Sequence, residues 1–72
     1  MAKARRVFTT TKNTISIVVD GGLVQEVIGL PAGYRARIVD CDIDGVEEKE
    51  LSKFVYSSGK KVEAVVYILE TP

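Results

Sequence analysis

The stretch Asp40-Cys41-Asp42-Ile43-Asp44-Gly45 sets three carboxylates at alternate positions and a glycine directly after the third. That is how a calcium loop of the EF-hand kind opens: oxygen ligands at the first, third and fifth positions, a glycine turn at the sixth, and a bidentate glutamate at the twelfth. Counted from Asp40, Glu48 falls at the ninth position, but the twelfth is Leu51. Glu50 comes one residue early, which on a helix turns it about 100° from where the closing carboxylate belongs. Asp40, Asp42, Asp44 and Glu48 are therefore the candidate metal ligands, with calcium the only cofactor the sequence suggests. The competing reading makes Asp40 and Asp42 the outward residues of a strand end, with Cys41 and Ile43 inward and Asp44-Gly45 a turn or helix cap. It accounts for the apolar residues between the aspartates, which a metal loop does not need.

Catalytic chemistry has less to stand on. The chain contains no histidine, which removes the usual general acid/base and the usual partner of a serine or cysteine nucleophile. Cys41 stands alone, between two aspartates that would raise its pKa, so it reads as a small core residue and offers neither a disulfide nor a zinc cluster. The Gly21-Gly22 pair belongs to no phosphate-binding glycine pattern. We expect no enzymatic activity. A second candidate chemistry is nucleic-acid contact by Lys3, Arg5, Arg6, Arg35 and Arg37, with Tyr34, Phe54, Tyr56 or Tyr67 as stacking rings. Against it, the net charge is zero and the pI is about 6.2, whereas such binders are usually basic.

These residues must be placed by strands. Ile15, Ile17 and Val19 alternate toward Asp20-Gly21-Gly22, and Val24 to Ile28 resumes in β-favouring residues, so the pattern predicts a hairpin that Pro31 and Gly33 close. A third strand from Tyr34 carries a conflict of phase. Counting by two, Arg35 and Arg37 share a face with Val39, Cys41 and Ile43, so we expect a bulge near Ile38–Val39 or a strand leaving the sheet at Asp40. Beyond Gly45 the spacing suggests one or two helical turns capped by Asp44, overlapping a strand from Lys53 to Ser57. Ser57 to Lys60 turns the chain into a last strand. Its C-terminal half is apolar on both faces, with Val65, Tyr67 and Leu69 on one of them.

The expected fold is mainly β or α+β: a small antiparallel sheet of about five short strands, two hairpins plus a linking strand, with at most one short helix. At 72 residues this is a single domain, residues 1–12 forming a mobile basic N-terminal arm. No apolar run approaches the ~20 residues of a membrane helix, and the N-terminus lacks the apolar core of a secretory signal, so a cytoplasmic, non-membrane protein is expected. A sheet this small cannot cover both of its faces, so the two-sided last strand points to closure into a small barrel or to a dimer, of which the dimer is favoured. A homodimer or another protein partner is thus expected at Val65, Tyr67, Leu69 and Gln25, the last a polar residue placed to hydrogen-bond across a strand or dimer axis.

Gly21, Gly22, Val24, Gln25 and Val27, followed by Val39, Asp40, Asp42 and Gly45, give the order G-G-x-V-Q-x-V, then V-D-x-D-x-x-G. This resembles small uncharacterised bacterial proteins often found in plasmid or phage-like neighbourhoods, over about the middle half of the chain. Those relatives typically carry an aromatic residue where this chain has Cys41, which agrees with packing at that position. The resemblance implies no activity, but it adds one alternative: a mobile-element accessory protein that inhibits a host system by protein contact. The expectation from the sequence is a protein-interaction module working through sheet faces or edges, with nucleic-acid binding and calcium binding as further alternatives.

Overall fold

The computed structural model describes residues 6–69. Five strands form in this span: β1 (Val7–Thr9), β2 (Thr14–Val19), β3 (Arg35–Asp40), β4 (Ser52–Val55) and β5 (Lys61–Leu69), with one 3-10 turn at Glu48–Glu50. Their spatial order is β1-β4-β5-β3-β2. The fold is mainly β, as the alternation implies, but the pairing is mixed. β5 runs antiparallel to β3 and β4, whereas β1 lies parallel to β4 and β2 parallel to β3.

The second expected hairpin is present. Val55 pairs with Lys61, the Tyr56 N–H donates to the Lys60 carbonyl at 2.8 Å, and Gly59 takes the positive φ of 93° that the turn requires. The first is not. Gly21 and Gly22 do turn the chain with φ of 90° and 85°, but Val24–Ile28 joins no strand, and Asp20–Tyr34 is instead the crossover that a parallel β2–β3 pair needs. The reason lies in the period of the apolar residues. Val24, Val27 and Leu30 are half-buried while Leu23, Gln25, Glu26 and Ile28 are exposed, so every third residue turns inward and a two-residue strand pleat is not satisfied.

No bulge interrupts β3. Its register to β2 and to β5 is unbroken from Ala36 to Asp40. The conflict of phase is resolved by burial instead: Ala36, Arg37, Ile38 and Val39 are all buried, the arginine included. The helical turn is shorter than the capping pattern suggests, and its N-cap is Glu47, whose side chain makes no capping bond. Asp44 is drawn elsewhere, its N–H donating to Asp42 Oδ1 at 3.4 Å. Val7–Thr9, part of the expected mobile arm, is a strand because Phe8 sits opposite Phe54 and the Lys53 N–H donates to the Arg6 carbonyl at 2.9 Å.

β5 serves two layers. Lys61–Ala64 pairs with β4, and Val65–Leu69 pairs with β3. A flat sheet in this order would hold β1 about 14 Å from β3, yet Arg37 Nη2 on β3 lies 2.7 Å from the Thr9 carbonyl oxygen on β1. The link from β1 to β2 is also only residues 10–13, although these are the two end strands of the order. The sheet therefore curls on itself at β5, as strands do where they turn a corner between two packed layers. Val39, Phe54 and Ala64 fill the concave side, with Phe8, Cys41, Tyr56, Val62 and Val66 packed around them. Ala36 and Ile38, of opposite parity on β3, are buried on the convex side.

Candidate functional site

The concave side holds an unusual core member. Arg37 is only 6% exposed, and its neighbours show how a charge is kept there. Nε donates to Ser16 Oγ at 3.3 Å, and Nη2 donates to Ser16 Oγ at 3.0 Å and to the Thr9 carbonyl at 2.7 Å. The guanidinium also lies 5.4 Å from the centroids of both Phe8 and Phe54, whose ring faces attract a cation. Arg6 approaches the Phe8 ring too, at 5.1 Å. Burial lowers the Arg37 pKa from its ordinary value, but arginine stays charged at any physiological pH. The residue therefore acts as a clamp between the layers: β1 and β2 share no backbone pairing among the described residues, and Arg37 holds Thr9 of one and Ser16 of the other.

This placement removes Arg37 from the nucleic-acid candidates, since its donors and its flat faces are committed inside the fold. Arg35 is exposed, Arg6 is exposed beside Phe8, and Lys3 and Arg5 lie outside the described residues. Lys60 lies 5.8 Å from the Tyr56 ring, but that ring is half-buried. Tyr34 is exposed beside Arg35, but Phe54 is buried and Tyr56 packs edge-on against it at 5.4 Å.

The aspartate run is also placed differently from a metal loop. Asp40 ends β3, its Oδ1 accepting the Asp42 N–H at 3.0 Å, and Asp42 Oδ1 accepts the Asp44 N–H in turn. Each carboxylate thus caps the backbone two residues on, the habit of aspartate in turns. Glu48 belongs to the 3-10 turn. Among the described residues no three acidic, cysteine or histidine side chains are grouped to hold an ion. Cys41 is half-buried against the core, and its thiol pKa is raised, first by burial and then by the negative charges of Asp20 and Asp40. A thiol of this kind is a poor nucleophile.

Of the expected interface residues, Gln25 is exposed in the β2–β3 crossover and joins no strand, because the inward-turning positions of that segment are Val24 and Val27. Val65, Tyr67 and Leu69 share the convex face with Ala36 and Ile38, and Tyr67 is the most open of the three.

What the sequence did not single out is the outer edge of β2. The Arg35 N–H donates to the Asn13 carbonyl at 3.0 Å and the Cys41 N–H to the Val19 carbonyl at 2.7 Å. With the β2–β3 register, these bonds turn the odd residues of β2 toward β3, so the N–H and C=O groups of Ser16 and Val18 point away from the sheet. Among the described residues no backbone group meets them. Side chains add to this: Asn13 to Val19 carries no charge, and Ile15 and Val18 are exposed at 41% and 43%. An uncharged, β-branched end strand lacks the lysines, prolines or bulges that usually protect such edges.

No family model matches the chain, and no curated protein or solved structure does either.

Proposed function

We propose that this protein is an interaction module that acts by binding, not by catalysis, and that its working surface is the open edge of β2. The observation that supports this most directly is the pair Ser16 and Val18, whose outward backbone groups have no partner among the described residues, on a strand without charge. Such an edge accepts a further strand: main-chain bonds supply affinity, and alternate side chains supply selectivity. Ile15 and Ile17 on the convex side and Val18 on the concave side would receive the partner's side chains.

The remaining expectations fit this reading as parts of the same proposal. No helix among the described residues is long and apolar enough to cross a membrane. A cytoplasmic setting suits the free thiol of Cys41. The resemblance to proteins of plasmid and phage neighbourhoods makes inhibition of a host system by strand addition one form that the binding would take.

The test is a selection from a random peptide library against the wild-type protein and against Val18→Pro. Val18 directs its N–H away from β3, so proline there removes no bond of the native ladder while blocking the edge. Peptides rich in β-branched residues should be enriched on the wild type and lost on the variant. Equal enrichment on both would overturn the proposal.

A further inference from the structure

We propose that the occupant of the β2 edge is a second copy of this chain, paired antiparallel to the first about a two-fold axis through Ile17. This rests on the reading of β2 as the binding edge and goes beyond it by naming the partner, the register and the residues that set it.

Parity limits the choices. In an antiparallel pair, residues that point their backbone groups at each other must lie directly opposite, so the outward residues Thr14, Ser16, Val18 and Asp20 must face one another. Two registers give both Ser16 and Val18 partners that lie within β2, with the axis at Ser16 or at Ile17. With the axis at Ser16, Val18 lies opposite Thr14 of the other copy and needs the Thr14 N–H as its donor. That N–H is already given to the Thr11 carbonyl at 3.1 Å, so the Val18 carbonyl would go without. With the axis at Ile17, Ser16 of each copy lies opposite Val18 of the other. All four outward groups of each chain are then satisfied reciprocally, each N–H donating to the facing carbonyl. Of the two registers, only this one leaves no outward group of Ser16 or Val18 without a partner.

Side chains agree with it. Ile17 meets its own symmetry mate on the convex face as a non-hydrogen-bonded pair, the closer kind, and Ile15 lies opposite Val19 there. The charges that bracket the strand are of opposite sign, Lys12 before it and Asp20 after it. In this register Asp20 of one copy comes opposite Thr14 of the other, beside the 11–14 turn that carries Lys12, so opposite charges meet at both ends of the interface. β1 does not stand in the way. Thr9 meets Arg37 on the concave side, and Val18 is still 43% exposed although its parity places it on that same side.

Sedimentation equilibrium over micromolar to millimolar protein is the primary measurement. The wild type should form dimers and nothing larger, because a two-fold pair uses up the edge. Val18→Pro, and as a milder variant Val18→Lys, should weaken association by about 30-fold or more while both melt as folded proteins. Lys12→Glu and Asp20→Lys should each weaken it about 3-fold, the size of an exposed ion pair, and the double reversal should restore it. Register is read separately by Ile17→Cys in a Cys41→Ser background. The paired Cα atoms of a non-hydrogen-bonded site fall about 4.5 Å apart, so mild oxidation should cross-link that variant and leave Ser16→Cys in the same background uncoupled. A wild type that stays monomeric throughout, or a dimer indifferent to Val18→Pro and Val18→Lys, overturns the inference. If the wild type is monomeric but Val18-dependent peptides are still selected, the edge is a binding site and only its self-pairing is refuted. If both fail, the edge itself is not the working surface.

Discussion

Replacing Arg37 measures what a buried cation contributes between the two layers. Its side chain serves two oxygen acceptors, Ser16 Oγ and the Thr9 carbonyl, and lies against two rings. Both acceptors belong to residues that water partly reaches, so the bonding to each acceptor, the forked pair on Ser16 Oγ counted once, is worth about 1 kcal/mol net, below the usual range for fully buried charge-assisted bonds. The two ring contacts together add about 1 kcal/mol. The buried methylene stem contributes about 2 kcal/mol through removal from water. Against these stands the cost of holding a guanidinium out of bulk water, about 2 kcal/mol at a site whose dipoles replace part of its hydration. Arg37→Ala loses the bonds, the ring contacts and the stem, and should cost about 3 kcal/mol. Arg37→Met keeps most of the stem, and should cost only about 1 kcal/mol. In a chain of this length those losses correspond to melting points lower by about 15 °C and about 5 °C. Urea unfolding with a common slope for all three proteins is the assay, since a changed slope would mean that compactness had altered as well. An Arg37→Met variant more stable than the wild type would refute the reasoning, for it would show that desolvation outweighs every contact drawn here. So would an Arg37→Ala variant within about 0.5 kcal/mol of the wild type.

Two further outcomes follow from the acidic end of β3. The folded pKa of Cys41 is raised, so the folded state keeps its proton more firmly than the unfolded chain, and the stability this gives is present below the ordinary thiol value and lost as pH rises through the folded one. Urea midpoints should therefore fall above about pH 8.5, less steeply in Cys41→Ala, and iodoacetamide should label the native thiol more slowly than the urea-unfolded one. A titration with calcium should give no heat and no rise in melting temperature, because Asp40 and Asp42 each cap a backbone N–H; a saturable heat together with a raised melting point would reinstate the loop as a metal site.

The legible parts of this fold were those in which local sequence and pleat agree. The Ser57–Lys60 turn, the β-branched run of β2 and the long last strand all carry their own turn residues or alternation, and each forms where the pattern places it. Pairing was not legible. A strand followed by Asp-Gly-Gly looks like one arm of a hairpin, and nothing local to β2 says that its neighbour is β3, reached across the fifteen residues Asp20–Tyr34. The three-residue recurrence of Val24, Val27 and Leu30 was visible in the sequence and argued against a second arm. For the candidate site the balance is similar. The phase conflict at Arg35 and Arg37 marked β3 as abnormal, but a bulge and a buried cation explain the same conflict, and choosing between them needs Phe8, Ser16 and Phe54, which lie far away in sequence. The open edge of β2 depends on strand order, a property that no single segment encodes.

The two-layer role of β5 has a consequence for how the protein comes into being. On the ribosome, residues 6–55 emerge first and contain both parallel pairs, but no backbone pairing ties one pair to the other until β5 arrives to bridge β4 and β3. Parallel pairing between strands so distant in sequence is slow to nucleate, because the entropy of closing the loop is lost before any packing compensates it. Until β5 joins β4 and β3, the nascent chain therefore carries the run Thr14–Val19 with its outer edge open and its pairing to β3 not yet locked in place. The interval between its synthesis and that of β5 is the period in which it is most open to pairing with the wrong neighbour, and the cell's means of shielding nascent strands would act there.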